Sequence, residues 1–212
     1  MSALFTPIKL GSVEFPNRIV VAPMCQYSAD DGSATDWRLG HLGMLANSGA
    51  GLVIVEATHV ERRGRITHGC MGLYSDDNES SLARVITHCR RAGTAKLGIQ
   101  IAHAGRKASA QRPWEGGGAL SPDQDPWQTI APSPIPFGPN WHVPRMATPE
   151  MTAELEQDMD RIANGELSKD EVIRDALGEH IFEWFLRNKR REWRDYKTHV
   201  SQFEIDRYLR AI

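Results

Sequence analysis

The chain has 212 residues, 41% of them apolar, enough for one core with an appendage but short of a complete eight-fold β/α barrel of about 250 residues plus a second domain. A formal charge of -2 and a pI near 6.4 exclude the basic footprint expected for nucleic acid or an anionic membrane, and leave a small molecule or another protein as the expected partner. There is no run of 18 apolar residues and no charged-then-apolar leader, and Cys25, Cys70 and Cys89 lack the close pairing of a zinc site, so a soluble protein of the reducing cytoplasm is expected.

Ile8–Leu10 and Val13–Phe15 flank Gly11-Ser12 and predict a short hairpin. Ile19 to Ala22 follow as an apolar, β-branched run without alternation, the pattern of a strand buried on both faces of a parallel sheet. Pro23 ends that strand, so Met24, Cys25 and Tyr27 emerge at its C-terminal end, where α/β sheets and barrels bind their ligands. After a turn-rich loop, Trp37, Leu39, Leu42, Leu45 and Ala46 recur at near-helical spacing over 36–48, and Gly49-Ala50-Gly51 closes the helix. Leu52–Val55 make a second buried strand that runs on into Glu56-Ala57-Thr58. A second amphipathic helix spans 78–92, with Leu82, Val85, Ile86 and Cys89 on one stripe and Gly93 at its end. Leu97–Ala102 form the third strand, followed by His103-Ala104-Gly105-Arg106-Lys107.

Strand, helix, strand, helix, strand with short connections implies a parallel sheet with right-handed crossovers. Gln100 is anomalous there, because an amide in a central strand is costly to bury unless its hydrogen bonds are met, by neighbouring backbone or by a ligand. Arg106 and Lys107 read either as phosphate ligands or as solvated strand-end charges, His103 as a hydrogen-bonded structural histidine, and Cys70 and Cys89 as packing residues. Residues 111–144 are rich in proline, glycine and tryptophan; Trp114, Trp127, Phe137 and Trp141 suggest a packed loop. Half of the charged residues fall after position 147, whereas eleven of the 12 prolines lie before Thr148, which places a boundary near Arg145 to Thr148.

Taken together, Pro16-Asn17-Arg18 through Tyr27, Gly51 through Thr58, Gly98 through Ser109 and Arg112-Pro113-Trp114-Glu115-Gly116 closely resemble the Old Yellow Enzyme family of FMN-dependent ene reductases. The cysteine in Ala22-Pro23-Met24-Cys25-Gln26-Tyr27 is similar to that of the thermophilic-like branch, and the resemblance covers roughly residues 3–147. It implies the first part of a TIM barrel, FMN as cofactor, NADPH or NADH as reductant, and a small activated alkene as substrate. It further implies that Pro23, Met24, Cys25, Ala57 and Gln100 line the flavin, that Cys25 tunes it rather than acting as a nucleophile, and that Tyr27 is a substrate-side phenol. Gln100 then has a ligand for its donor and acceptor. Family members carry a substrate-binding histidine pair, a tyrosine proton donor and a phosphate site on later strands; after Arg145 this chain has only His180 and His199.

Residues 148–166 carry an N-cap threonine, Pro149 at the first helical position and a glycine near the end, and are similar to the family's own next helix and weakly to a segment of type IA topoisomerases. Residues 168–212 resemble the C-terminal helical end of glutamine synthetase, without that enzyme's ATP, glutamate or metal ligands. Ser168 to Glu171 make a capping box, and Val172, Ile173, Ala176, Leu177, Ile181, Phe182 and Phe185 an apolar face, the pattern of a packing or oligomerising helix. Lys189-Arg190-Arg191 is interleaved with Glu192 and Asp195 and reads as a solvated helix face.

The expected architecture is therefore α/β: a partial (β/α) TIM barrel of three βα units over 1–147, then an α-helical tail over 148–212. The expected function is truncated FMN-dependent reduction of activated alkenes, with Cys25 and Tyr27 as catalytic candidates and no metal. The alternatives are a non-catalytic half-barrel that self-associates through open sheet edges or the tail, and an artificial join of unrelated pieces.

Overall fold

A computed structural model describes residues 2–163. The readings of 164–212, including the capping box at Ser168, His180, His199 and the apolar face from Val172 to Phe185, lie outside the described residues. The hairpin forms as expected: β1 (Ile8–Leu10) pairs antiparallel with β2 (Val13–Phe15), turning at Gly11, whose φ of 59° suits a residue without a side chain.

The main sheet is parallel. β3 (Val20–Val21) and β4 (Leu52–His59) are joined through α1 (Asp36–Ala46), and β4 and β6 (Lys96–Ala102) through α2 (Asp76–Ala92). β4 is central. β6 runs along one edge for its whole length, while β3 takes the start of the other edge and β5 (Met71–Gly72) its end, opposite Thr58 and His59. Val53 and Val55 of β4 bury against Leu42 and Ala46 of α1 and Leu82, Val85, Ile86 and Cys89 of α2. Each fully buried aliphatic side chain in this layer contributes about 1.5–3 kcal/mol. Ser75 caps α2 by accepting from the Asn78 amide, and three acidic residues in the first turn complement the helix dipole. Gly93 ends α2 where a side chain would strike the Ala46 carbonyl at 1.9 Å.

Four expectations are corrected. The first strand is only Val20–Val21 and is not buried on both faces, because Val20 is 53% exposed: among the described residues no second layer covers that face. For the same reason Gln100 is exposed rather than buried. In α1 the exposed residue is Trp37 and the buried one is Arg38, which has an ionic partner inside. In the loop, Trp114 and Phe137 are exposed, although each meets another ring; Trp127 is tied down by its indole N–H donating to the Arg63 carbonyl at 2.8 Å.

Beyond the loop, β7 (Ile130–Ala131) pairs parallel with β8 (Arg145–Met146). α3 (Pro149–Ala163) starts as its sequence predicts: the Met151 and Thr152 amides donate to the hydroxyl and carbonyl oxygens of Thr148. It packs Leu155, Met159 and Ile162 on the core shared with α1 and α2. No helix among the described residues is long and apolar enough to cross a membrane.

Candidate active site at the strand ends

The C-terminal ends of β3, β4 and β6 meet on one rim, and the ladder register explains how. Val21 lies opposite Val53, and Ala57 lies opposite Gln100, with a register shift between Val55 and Ala57 that makes Glu56 a bulge residue. Discounting the bulge, Met24 is as far beyond Val21 as Ala57 is beyond Val53. A bulge turns a side chain away from the alternation of its strand, and here Glu56 points inward instead of onto the rim.

Glu56 is 4% exposed and pairs with the guanidinium of Arg38, itself 1% exposed. The same Oε2 that meets Arg38 Nη1 accepts the Gln26 backbone N–H at 2.8 Å. Burial pushes the Glu56 carboxyl above its usual range, against the opposing pull of Arg38 and the Gln26 amide.

Cys25 precedes Gln26, the residue whose amide this pair holds. Its thiol is pushed up to about 11, first by burial, then by Cys70 and Glu56, while a backbone hydrogen bond from Ala57 and the charge of Arg38 pull the other way. A thiol held that high is protonated at neutral pH and is a poor nucleophile. Tyr27 has its phenol pushed up to about 12, by burial first and then by Cys25, Cys70 and Glu56. Its φ of 51° lies in the left-handed region, uncommon for a residue with a side chain. Three contacts hold it there. Arg112 Nε donates to the Tyr27 carbonyl at 3.0 Å, the Ala29 amide donates to the Gly69 carbonyl at 2.9 Å, and Trp114 meets the phenol ring edge-on at 5.9 Å. Gly69 is required, since an added Cβ would lie 2.1 Å from the Tyr27 oxygen.

The structure thus sets Ala57 opposite Gln100 and Cys25 beside Ala57 and Tyr27, with Pro23 and Met24 on the segment that leads from β3 to Cys25. Met24 is 52% exposed, Ala57 offers only a methyl group, and the Gln100 amide is exposed with no hydrogen bond to another described residue. These groups suit the edge of a flat heteroaromatic ring: apolar contact from Met24 and Ala57, a thiol from Cys25, and a donor with an acceptor from Gln100.

Other expectations resolve plainly. His103 is structural, its Nε2 2.7 Å from Glu61 Oε1. Arg106 donates to Ser133 Oγ, and Lys107 lies over the Phe137 ring. Cys70 and Cys89 are buried. No group of three or more metal-ligating side chains exists among the described residues. Sequence reasoning missed Arg38, Glu56, Arg112 and Gly69; the available signal was a carboxylate at the point where the β4 apolar run breaks.

Comparison with known proteins agrees with this geometry. The model of the NADH:flavin oxidoreductase / NADH oxidase family matches residues 3–129, and that of the glutamine synthetase catalytic domain matches residues 143–208. An NADH:flavin oxidoreductase of Gibberella zeae is 45% identical over 160 residues, covering 73% of this chain and 38% of that protein. An NADPH dehydrogenase of Listeria monocytogenes is 41% identical over 165 residues, covering 77% and 44%. The chain therefore spans less than half the length of these relatives. Among solved structures, morphinone reductase and the Old Yellow Enzyme from Pichia sp. are each 23% identical with a TM-score of 0.64, covering 78% of this chain and 46% and 42% of theirs. With the family model matching well over half of its residues, the chain belongs to the NADH:flavin oxidoreductase / NADH oxidase family.

Proposed function

We propose that this chain forms the flavin-facing flank of an Old Yellow Enzyme type oxidoreductase, using FMN and NADPH or NADH to reduce the double bond of a small activated alkene. What supports the reading is that Ala57 lies opposite Gln100 at the end of the β4–β6 ladder with Cys25 beside Ala57, and that the exposed Gln100 amide has no hydrogen bond to another described residue. FMN, when bound, supplies the hydride carrier. Gln100 would hold the polar edge of the ring, with Pro23, Met24 and Ala57 in apolar contact. Cys25 would act as a polar, protonated neighbour of the ring, since its pKa of about 11 leaves almost no thiolate at pH 7. Tyr27, with a pKa of about 12, keeps its proton and can donate it in a hydrogen bond to the carbonyl oxygen that activates the alkene. NADPH dehydrogenase and NADH:flavin oxidoreductase are the names of its relatives, which supports the choice of reductant. In this reading residues 1–147 are the first three βα units of a TIM barrel and 148–212 a helical part whose first helix, α3, packs on the α1 and α2 core.

The test is a titration with FMN, followed by quenching of flavin fluorescence and the visible spectrum. Saturable binding, alone or with a polypeptide supplying the family's later strands, is expected. No binding in either arrangement rejects the reading. One observation favours a second reading, a non-catalytic self-associating half-barrel: Val20 stands exposed on the sheet, and β6 has no outer neighbour among the described residues. A discrete oligomer by light scattering without affinity for FMN would select it.

A further inference from the structure

We infer that Glu56 and Arg38 form a buried charge clamp that grips the backbone beside Cys25 and holds two opposed charges near it, making Glu56 a positioning residue for the proposed flavin site. The inference rests on the reading of that rim as a flavin site, but its geometry is independent of any ligand. Glu56 is the bulged residue of β4, and its carboxylate reaches the segment that carries Cys25. One oxygen, Oε2, binds both the Gln26 amide, the residue next to Cys25, and Arg38 Nη1. Its other oxygen, with Arg38 Nε and Nη2, is buried without a hydrogen-bond partner.

A buried pair with three unsatisfied polar atoms is a poor stabiliser, because desolvation of both ions offsets their attraction. A hydrophobic pair would hold helix α1 to β4 as well. What the hydrophobic pair could not do is grip the backbone beside Cys25 and hold two opposite charges one residue away from it. The titratable and charged groups that act on that thiol are Cys70 from the segment before β5, Glu56 from β4 and Arg38 from α1, with Tyr27 of its own loop coupled to it. Burial and Cys70 hold the thiol protonated first; on top of them Glu56 disfavours the thiolate and Arg38 favours it, so the pair adds two opposed contributions to the same thiol.

The test follows alkylation of Cys25 by iodoacetamide against pH, with peptide mapping by mass spectrometry, on the whole protein without FMN. E56Q leaves the Arg38 cation unopposed, so the midpoint falls, and each unit of fall raises alkylation at pH 8 about tenfold. E56Q/R38M removes both charges and keeps an acceptor for Gln26, so its midpoint returns toward wild type. A role limited to packing predicts a double variant at least as perturbed as E56Q. That result, or an unmoved midpoint in E56Q, overturns the clamp. The unmodified protein gives a second check if E56Q does not fold: the Gln26 amide exchanges with solvent more slowly than those of Met24 and Tyr27, and equal rates overturn the inference. Failure of FMN to bind would reject the flavin reading and leave both measurements standing.

Discussion

His59 makes the stability of this protein sensitive to acid over a defined range. It ends β4, is 0% exposed, and is bound through Nδ1 to the Met71 carbonyl at 2.9 Å, the contact that ties β5 to β4 beside the rim. Nδ1 must carry the proton to donate there, which leaves Nε2 as a buried lone pair without a partner. Burial first, with the nearby His103 and Arg65, lowers its pKa from 6.5 to about 4, although the Met71 hydrogen bond favours the charged form. The unfolded chain binds this proton below about pH 6.5 and the folded chain only near pH 4, so the unfolded state holds more protons in between. Stability is complete above pH 6.5 and falls as the pH drops through the window. At about 1.4 kcal/mol per unit the loss is about 3 kcal/mol. Urea unfolding at pH 7 and pH 4, for the wild type and for His59→Asn, isolates this term, because asparagine keeps a donor for Met71 without a titrating ring. The wild type should lose about 3 kcal/mol more than the variant across the window. Equal losses would show that His59 does not carry the effect.

Gln100→Leu separates binding from folding. The amide is exposed and has no hydrogen bond to another described residue, so unfolding free energy should move by no more than about 0.5 kcal/mol, while FMN affinity falls about tenfold by titration. Gly69→Ala drives a methyl group into the Tyr27 carbonyl; a cost of about 3 kcal/mol in urea unfolding is expected, with faster proteolysis of the 27–29 segment. Leu82→Ala, at a side chain 1% exposed between α2 and the sheet, should cost about 3 kcal/mol in the same assay, and a loss below 1 kcal/mol would mean that this layer is not the core. Arg112→Ala removes a charged donor from the Tyr27 carbonyl and should cost about 2 kcal/mol while broadening the Tyr27 ring resonances by NMR.

Much of the architecture was legible because it depends on local pattern. The Gly11-Ser12 turn between two apolar triplets specified the hairpin, the spacing of Leu82, Val85, Ile86 and Cys89 specified α2, and Thr148-Pro149 fixed the start of α3. The motif from Pro23 to Tyr27, with Ala57 and Gln100, carried the candidate site through its resemblance to a family. Exposure was the weak point. An apolar run such as Ile19 to Ala22 reads as doubly buried whether or not a second layer exists, and Val20 is in fact open to solvent.

The sequence alone thus determined the hairpin, the three helices and the long strands β4 and β6, and which residue types stand at the strand ends, since hydrophobic period and breaking residues act within a few positions of themselves. The two-residue strands β5, β7 and β8 carry no such period and came only from tertiary pairing. Only the tertiary structure decided that Glu56 bulges out of β4, that it meets Arg38 across eighteen positions of chain beside the Gln26 amide, and that Tyr27 takes a left-handed backbone held by Arg112 and Gly69. Those features depend on which distant groups share one low-dielectric space, where a charge must find its partner and a carbonyl its donor.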